Sequence, residues 1–160
     1  MKGIRFLAVI ACALMAFAAR GATVPERGVD ADLSVMGYGY RVKVLVNGID
    51  SGVKGGGAEA MLLFSKDHSM AAKAAPSVRE RHALLKPGAN EIAIEYAKLD
   101  PKTADRLEIT LKVWGYPKPL LQLVNSEKAS DKLSVTVQIE KAPPAGFKPV
   151  LIGDAKVLAE

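Results

Sequence analysis

Met61, Asp67, His68, Met70 and His82 form the stretch of this sequence with metal-ligand chemistry. Imidazole and thioether are soft donors whose combination suits cuprous copper. His68-Ser69-Met70 is a His-x-Met pair: on a strand its two side chains share a face, whereas on a helical turn they diverge. The opposing reading makes the histidines surface groups and the methionines gap-fillers in a long loop. The copper alternative therefore rests on His68, Met70, His82 and Met61, and the leading expectation is no cofactor.

Trp114 and Tyr116 are the candidate ligand-binding residues. An exposed aromatic ring beside placed polar groups grips the apolar face of a sugar. Trp114 falls on the polar side of an alternating segment, opposite Leu111 and Val113, which favours partial exposure. The alternative role is to cover one end of the domain beside Pro117 and Pro119. For catalysis, carboxylates are available at Glu91, Glu95 and Glu108, but on outward strand positions where solvated charge is the default. No serine sits in a nucleophile elbow, and Lys54-Gly55-Gly56-Gly57 lacks the Lys-Ser/Thr and following helix of a phosphate loop. The expectation is a non-enzyme.

These residues need a scaffold, and the chain first declares its destination. Lys2 and Arg5 precede an apolar run over 6–19, closed by small residues at 21–22, the pattern of a secretory signal peptide over 1–22. The run falls short of the roughly 20 apolar residues of a membrane span, so no integral membrane segment is expected after cleavage, and the periplasm or the exterior is the expected location. The chain has 22 basic and 17 acidic side chains. Removing Lys2, Arg5 and Arg20 leaves 19 against 17, a net charge of +2, which does not favour a nucleic-acid partner. The single cysteine, Cys12, lies inside the apolar run, so the processed chain has no disulfide and no thiolate site. Val9-Ile10-Ala11-Cys12 looks like a lipidation site, but 13–17 stays apolar where a lipoprotein turns polar.

The remainder reads as one domain over 23–141 and a Pro-containing tail over 142–160. Residues 23–37 are polar and read as a leader or weak edge strand. Tyr40, Val42, Val44 and Val46 alternate with Arg41, Lys43 and Leu45, a half-buried strand. Asn47-Gly48 then accepts the positive φ angles of a type I′ turn, folding 49–53 back as its partner. Further strands are expected over 60–64, 78–85, 91–96, 107–114, 120–124 and 133–139, and a short helix over 69–75, stopped before Pro76. About eight short strands separated by turn signals define an all-β fold, an antiparallel β-sandwich of jelly-roll or Ig-like type.

Val44-Leu-Val-Asn-Gly-Ile-Asp-Ser-Gly52, a Gly-rich turn, and Leu84-Leu-Lys-Pro-Gly-Ala-Asn-Glu-Ile-Ala-Ile94 resemble the galactose-binding-like jelly-roll modules that accompany many glycoside hydrolases. The resemblance spans 44–96, is carried by turn residues, and implies the β-sandwich fold, with no sugar-contacting residue carried over. The functional expectation is thus an exported, non-catalytic module recognising protein or glycan through loops at one sandwich end, where 54–58 and 65–77 are expected to gather.

Overall fold

The computed structural model describes residues 28–68, 71, 73–102 and 106–158. The signal-peptide reading over 1–22 therefore lies outside the described residues. Among the described residues nine strands form two sheets: β1 (Asp30–Met36), β2 (Tyr40–Val46), β3 (Ile49–Asp50), β4 (Ala58–Phe64), β5 (Gly88–Lys98), β6 (Leu107–Val113), β7 (Leu121–Asn125), β8 (Ser130–Ile139) and β9 (Val150–Gly153). One sheet runs β4-β1-β6-β7-β9 and the other β3-β2-β5-β8. This is a β-sandwich. Among the described residues the helices α1 (Pro76–His82) and α2 (Ala155–Leu158) lie outside the sheets. Among the described residues no helix is long and apolar enough to cross a membrane.

Alternation builds the core. Leu33, Val35, Ile109 and Leu111 from one sheet face Val44 and Ile94 from the other, all essentially inaccessible. Burial of each such side chain contributes about 1.5–3 kcal/mol. The β2 strand has the expected bounds, and Asn47 (φ 51°) and Gly48 (φ 79°) make the expected left-handed turn into β3. One glycine is required by close approach: a Cβ on Gly55 (φ 76°) would stand 2.5 Å from the Tyr40 carbonyl oxygen, where the 51–57 loop hydrogen-bonds along β2.

Three expectations change. Residues 30–36 are neither leader nor edge: β1 is paired on both sides, Leu33 opposite Met61 and also opposite Leu111. Its small and polar outer positions, Asp32 and Ser34, disguise a strand whose inner positions Ala31, Leu33 and Val35 are fully buried. Residues 78–85 were expected as a strand, yet Pro76 opens helix α1 there. Proline's preset φ and missing N–H suit a first helical turn, and Arg79, Arg81 and His82 stand at the end the helix dipole favours. Ala71 and Lys73 are helical in the expected region, and Ser69 and Met70 lie outside the described residues. Finally, β9 runs parallel to β7, so one sheet is not purely antiparallel. The chain reaches it after crossing to the other sheet as β8, and a parallel pair needs such a crossover.

One outward amide of the β8 edge is capped by a side chain. Lys98 N–H donates to the Ala129 carbonyl at 2.7 Å. By antiparallel alternation the even-numbered β8 amides, Ser130 to Gln138, then point away from β5. Asp131 accepts the Lys132 N–H at 2.9 Å and the Lys128 ammonium at 2.7 Å. Those two hydrogen bonds, the Lys128 one foremost, hold its carboxyl below the usual aspartate range. On the inner face, burial and then the Asp131 charge push the Tyr96 phenol up to about 12.

Asp131→Ala leaves the Lys132 N–H open at a sheet edge and is expected to raise concentration-dependent self-association, read by sedimentation velocity; unchanged monomer would contradict the capping role. The depressed carboxyl stabilises the capped edge above its ordinary value near 3.8 and loses that effect as pH falls through the lower folded value. The wild type should therefore begin to self-associate only at pH below that ordinary value. At the alkaline end the raised Tyr96 value favours the folded state fully up to about pH 10, with loss as pH rises toward 12. In a spectroscopic pH titration, Tyr96→Phe should lack the last phenolate to ionise and lose less stability above pH 10.

Candidate functional site

Strand directions sort the loops into two ends. The turn at 47–48, the long connection 65–87, the segment 114–120 and the exit from β8 share one end. The 51–57 loop and the 126–129 turn share the other. The loops at 54–58 and 65–77, expected together, thus lie at opposite ends of β4, because that seven-residue strand runs between them.

Trp114 follows directly on β6 and stands at the first end, 56% exposed. Its backbone N–H donates to the Asp30 carbonyl at 2.9 Å, and its indole Nε1–H donates to Asp32 Oδ2 at 2.9 Å. Both partners come from β1. The indole edge is tied to the sheet and the ring remains presented to solvent, as its alternation predicted. Lys112 sits opposite Asp32 in the same cross-strand row, so a carboxylate, an ammonium and an aromatic ring share the outer face here. Asp32 was missed in the sequence: it lies 82 positions from Trp114, and no local pattern links them.

Tyr116, two residues on, is 4% exposed. Its hydroxyl donates to the Glu140 carbonyl at 3.2 Å and accepts the Glu140 N–H at 3.0 Å, and its ring meets Phe147 edge-on at 5.0 Å. It fastens the segment leading to β9. Trp114 and Tyr116 therefore do not present a joint aromatic platform.

The four copper-alternative residues fall differently. Met61 is on the core side of β4, whereas Leu62 and Phe64 point outward toward the 65–83 region. His68 and His82 both pack against the Phe64 ring, with centroids at 6.0 and 6.3 Å. His68 Nε2 lies 3.0 Å from Asp30 Oδ2, and His82 Nδ1 lies 2.9 Å from the Leu62 carbonyl oxygen. The two imidazoles thus meet one aromatic ring, with Met61 across the strand from them; Met70 lies outside the described residues. The carboxylates singled out for catalysis also separate. Glu108 is on the outer face of the β1–β6 sheet, while Glu91 and Glu95 are on that of the β2–β5 sheet. Four positions along one strand set those two about 13 Å apart, well beyond the 5–9.5 Å of a glycosidase pair. Glu91 accepts from Ser134 Oγ at 2.8 Å, and Glu95 pairs with Lys132 at 2.6 Å.

A polar clasp holds the Trp114 end in shape. Buried Asn90 accepts from Lys86 N–H and Asn47 Nδ2, both at 3.0 Å, and donates to the carbonyls of Lys86 (2.7 Å) and Gly88 (3.0 Å). Asn47 also donates to the Leu84 carbonyl at 2.9 Å and accepts the Glu91 N–H at 3.1 Å. The expected bonding of Asn90 to its local backbone is present, and the link to Asn47 joins two loops. Between them opens a groove of about 430 Å³, bounded by Asn47, Ile49, Lys66 and Leu85 among others.

No family model, no curated protein and no solved structure matches this chain.

Removing the indole acceptor tests the geometry. Asp32→Ala should change Trp114 emission and cost about 0.5–1.5 kcal/mol, the net value of one hydrogen bond. Asp32→Asn, which keeps an acceptor oxygen, should leave the spectrum near wild type. Identical spectra for Asp32→Ala and wild type would show that the contact is absent in solution.

Proposed function

We propose that this protein is an exported, non-catalytic binding module that takes a glycan at one sandwich end, with Trp114 as the contact ring. The observation that carries the reading is the pairing of an exposed indole with Asp32: the ring face is free for a sugar while its N–H is already satisfied. Stacking of an apolar sugar face on such a ring, with Asp32 and Lys112 within the same row to meet hydroxyls, is how a rigid surface selects a carbohydrate. The similarity of 44–96 to galactose-binding-like modules supports the same role, as does the clasped end that keeps the loops preorganised. Export rests on the signal-like 1–22 segment.

The copper alternative has in its favour that His68 and His82 converge on Phe64. Both imidazoles, however, already engage protein groups, and Met61 is across the strand.

Because Trp114 is the sole tryptophan, its fluorescence reports directly on the site. Titration with neutral oligosaccharides is expected to give saturable quenching for at least one of them, with affinity lowered about tenfold in Trp114→Ala by chemical-shift titration, about 1.4 kcal/mol and at the upper end of one lost stacking contact. A protein captured at this end with no sugar response would move the reading to a protein partner. Calorimetry with cuprous ion under reducing conditions is expected to show no saturation at micromolar metal; saturation lost in His68→Ala would favour copper.

A further inference from the structure

We propose a second binding surface, on the outer face of the β3-β2-β5-β8 sheet, for a carboxylate-bearing oligosaccharide of the uronate class. It goes beyond the Trp114 reading and stands or falls separately. The face carries an open groove of about 690 Å³. Its shape follows from the register. Arg41, Ala97 and Ser130 form one cross-strand row and Lys43, Glu95 and Lys132 the next, so long side chains on β2 and β8 rise on either side of Ala97. Neighbouring strands are about 4.8 Å apart, which sets Arg41 and Ser130 roughly 10 Å across the gap, room for a sugar ring bearing a charged substituent.

The charges are unequally committed. Four cations line the groove, Arg41, Lys43, Lys54 and Lys132, with three carboxylates, Asp50, Glu95 and Asp131. Each carboxylate already accepts a close hydrogen bond: Glu95 from Lys132 at 2.6 Å, Asp131 from Lys128 at 2.7 Å, and Asp50 from the Gly52 N–H at 2.8 Å. Arg41, Lys43 and Lys54 make no salt bridge among the described residues. Lys43 stands opposite Glu95 and its charge helps hold that carboxyl low, so Arg41 and Lys54, set against Asp50 with its neutral N–H partner, leave the groove net positive and suited to an anion.

The same walls disfavour an acidic peptide. Peptide docking uses either apolar anchor pockets or a free strand edge. None of the large exposed apolar side chains, such as Trp114, Ile49 or Leu99, lines this groove. The adjoining β8 edge has its Lys132 N–H taken by Asp131. What remains is a wall with a small net positive charge and the Ser130 hydroxyl, matched to carboxylates set among sugar hydroxyls.

The test uses the processed protein in low salt, titrated with a uronate trisaccharide, its carboxyl-reduced neutral counterpart and triglutamate, and followed by amide chemical shifts. The uronate is expected to bind saturably with shifts on β2, β5 and β8. Arg41→Gln combined with Lys43→Gln should weaken it about tenfold, and about 0.5 M salt should weaken it comparably, since screening then acts within a few ångströms. Lys54→Gln, a loop change that leaves both sheets untouched, should weaken it about threefold, and Trp114→Ala should leave it unchanged. Absence of saturation at millimolar uronate would overturn the proposal, as would equal binding of the neutral sugar or of triglutamate, or indifference to these substitutions. Quenching of Trp114 by neutral sugars, with no uronate response on this face, would sink this inference and leave the first site standing.

Discussion

The pairing of β1 on both of its edges is the constraint on which the rest of the molecule depends. Seven residues between β4 and β6 join what would otherwise be a hairpin-like fragment to the β6-β7-β9 half of the sheet. Leu33 and Val35 enter the core from this strand. The other side of the same strand holds the proposed contact ring in place: Asp32 takes the indole N–H, Asp30 takes His68, and the Asp30 carbonyl takes the Trp114 amide. Just before the strand, Val29 N–H donates to buried Ser65 Oγ at 2.8 Å and ties in the start of the 65–87 connection. One short segment therefore determines both the packing and the presentation of Trp114.

At the same end, turn chemistry does the positioning. The left-handed Asn47-Gly48 turn brings the Asn47 amide to Asn90 and Leu84, so a residue chosen for its backbone conformation also crosslinks loops by its side chain. A buried amide with all its hydrogen bonds met stiffens its surroundings. Rigidity of this kind is what a binding surface needs, since loops that are ordered in advance cost less on association. The opposite outer face offers a different surface, polar and with a small net positive charge, beside an edge whose Lys132 N–H is capped by Asp131.

Much of this was legible in the sequence where one rule governed. Strands β2, β5, β6 and β8 show because bulky β-branched and aliphatic residues recur at every second position between polar ones. Asn47-Gly48 shows because few dipeptides tolerate that turn. β1 was obscured because its buried set includes Ala31, and its outer set of Asp30, Asp32 and Ser34 has a loop's composition. The 76–82 helix was obscured because Arg79 and Arg81 put charge at alternate positions as an edge strand does, and the helix buries none of its own residues to signal a helical face. Trp114 was legible as exposed. Its Asp32 partner, the buried role of Tyr116 and the docking of β9 were not, since each depends on contacts between residues distant in the chain.

The most direct measurement of the central claim is residue-resolved hydrogen exchange over 30–36. A strand paired on both sides binds every amide into the ladder, so odd and even residues, Leu33 and Ser34 alike, should exchange as slowly as Ile109 on β6. Protection of alternate amides alone would make β1 an edge strand, and exchange within seconds throughout would make it a leader; either result would contradict the account.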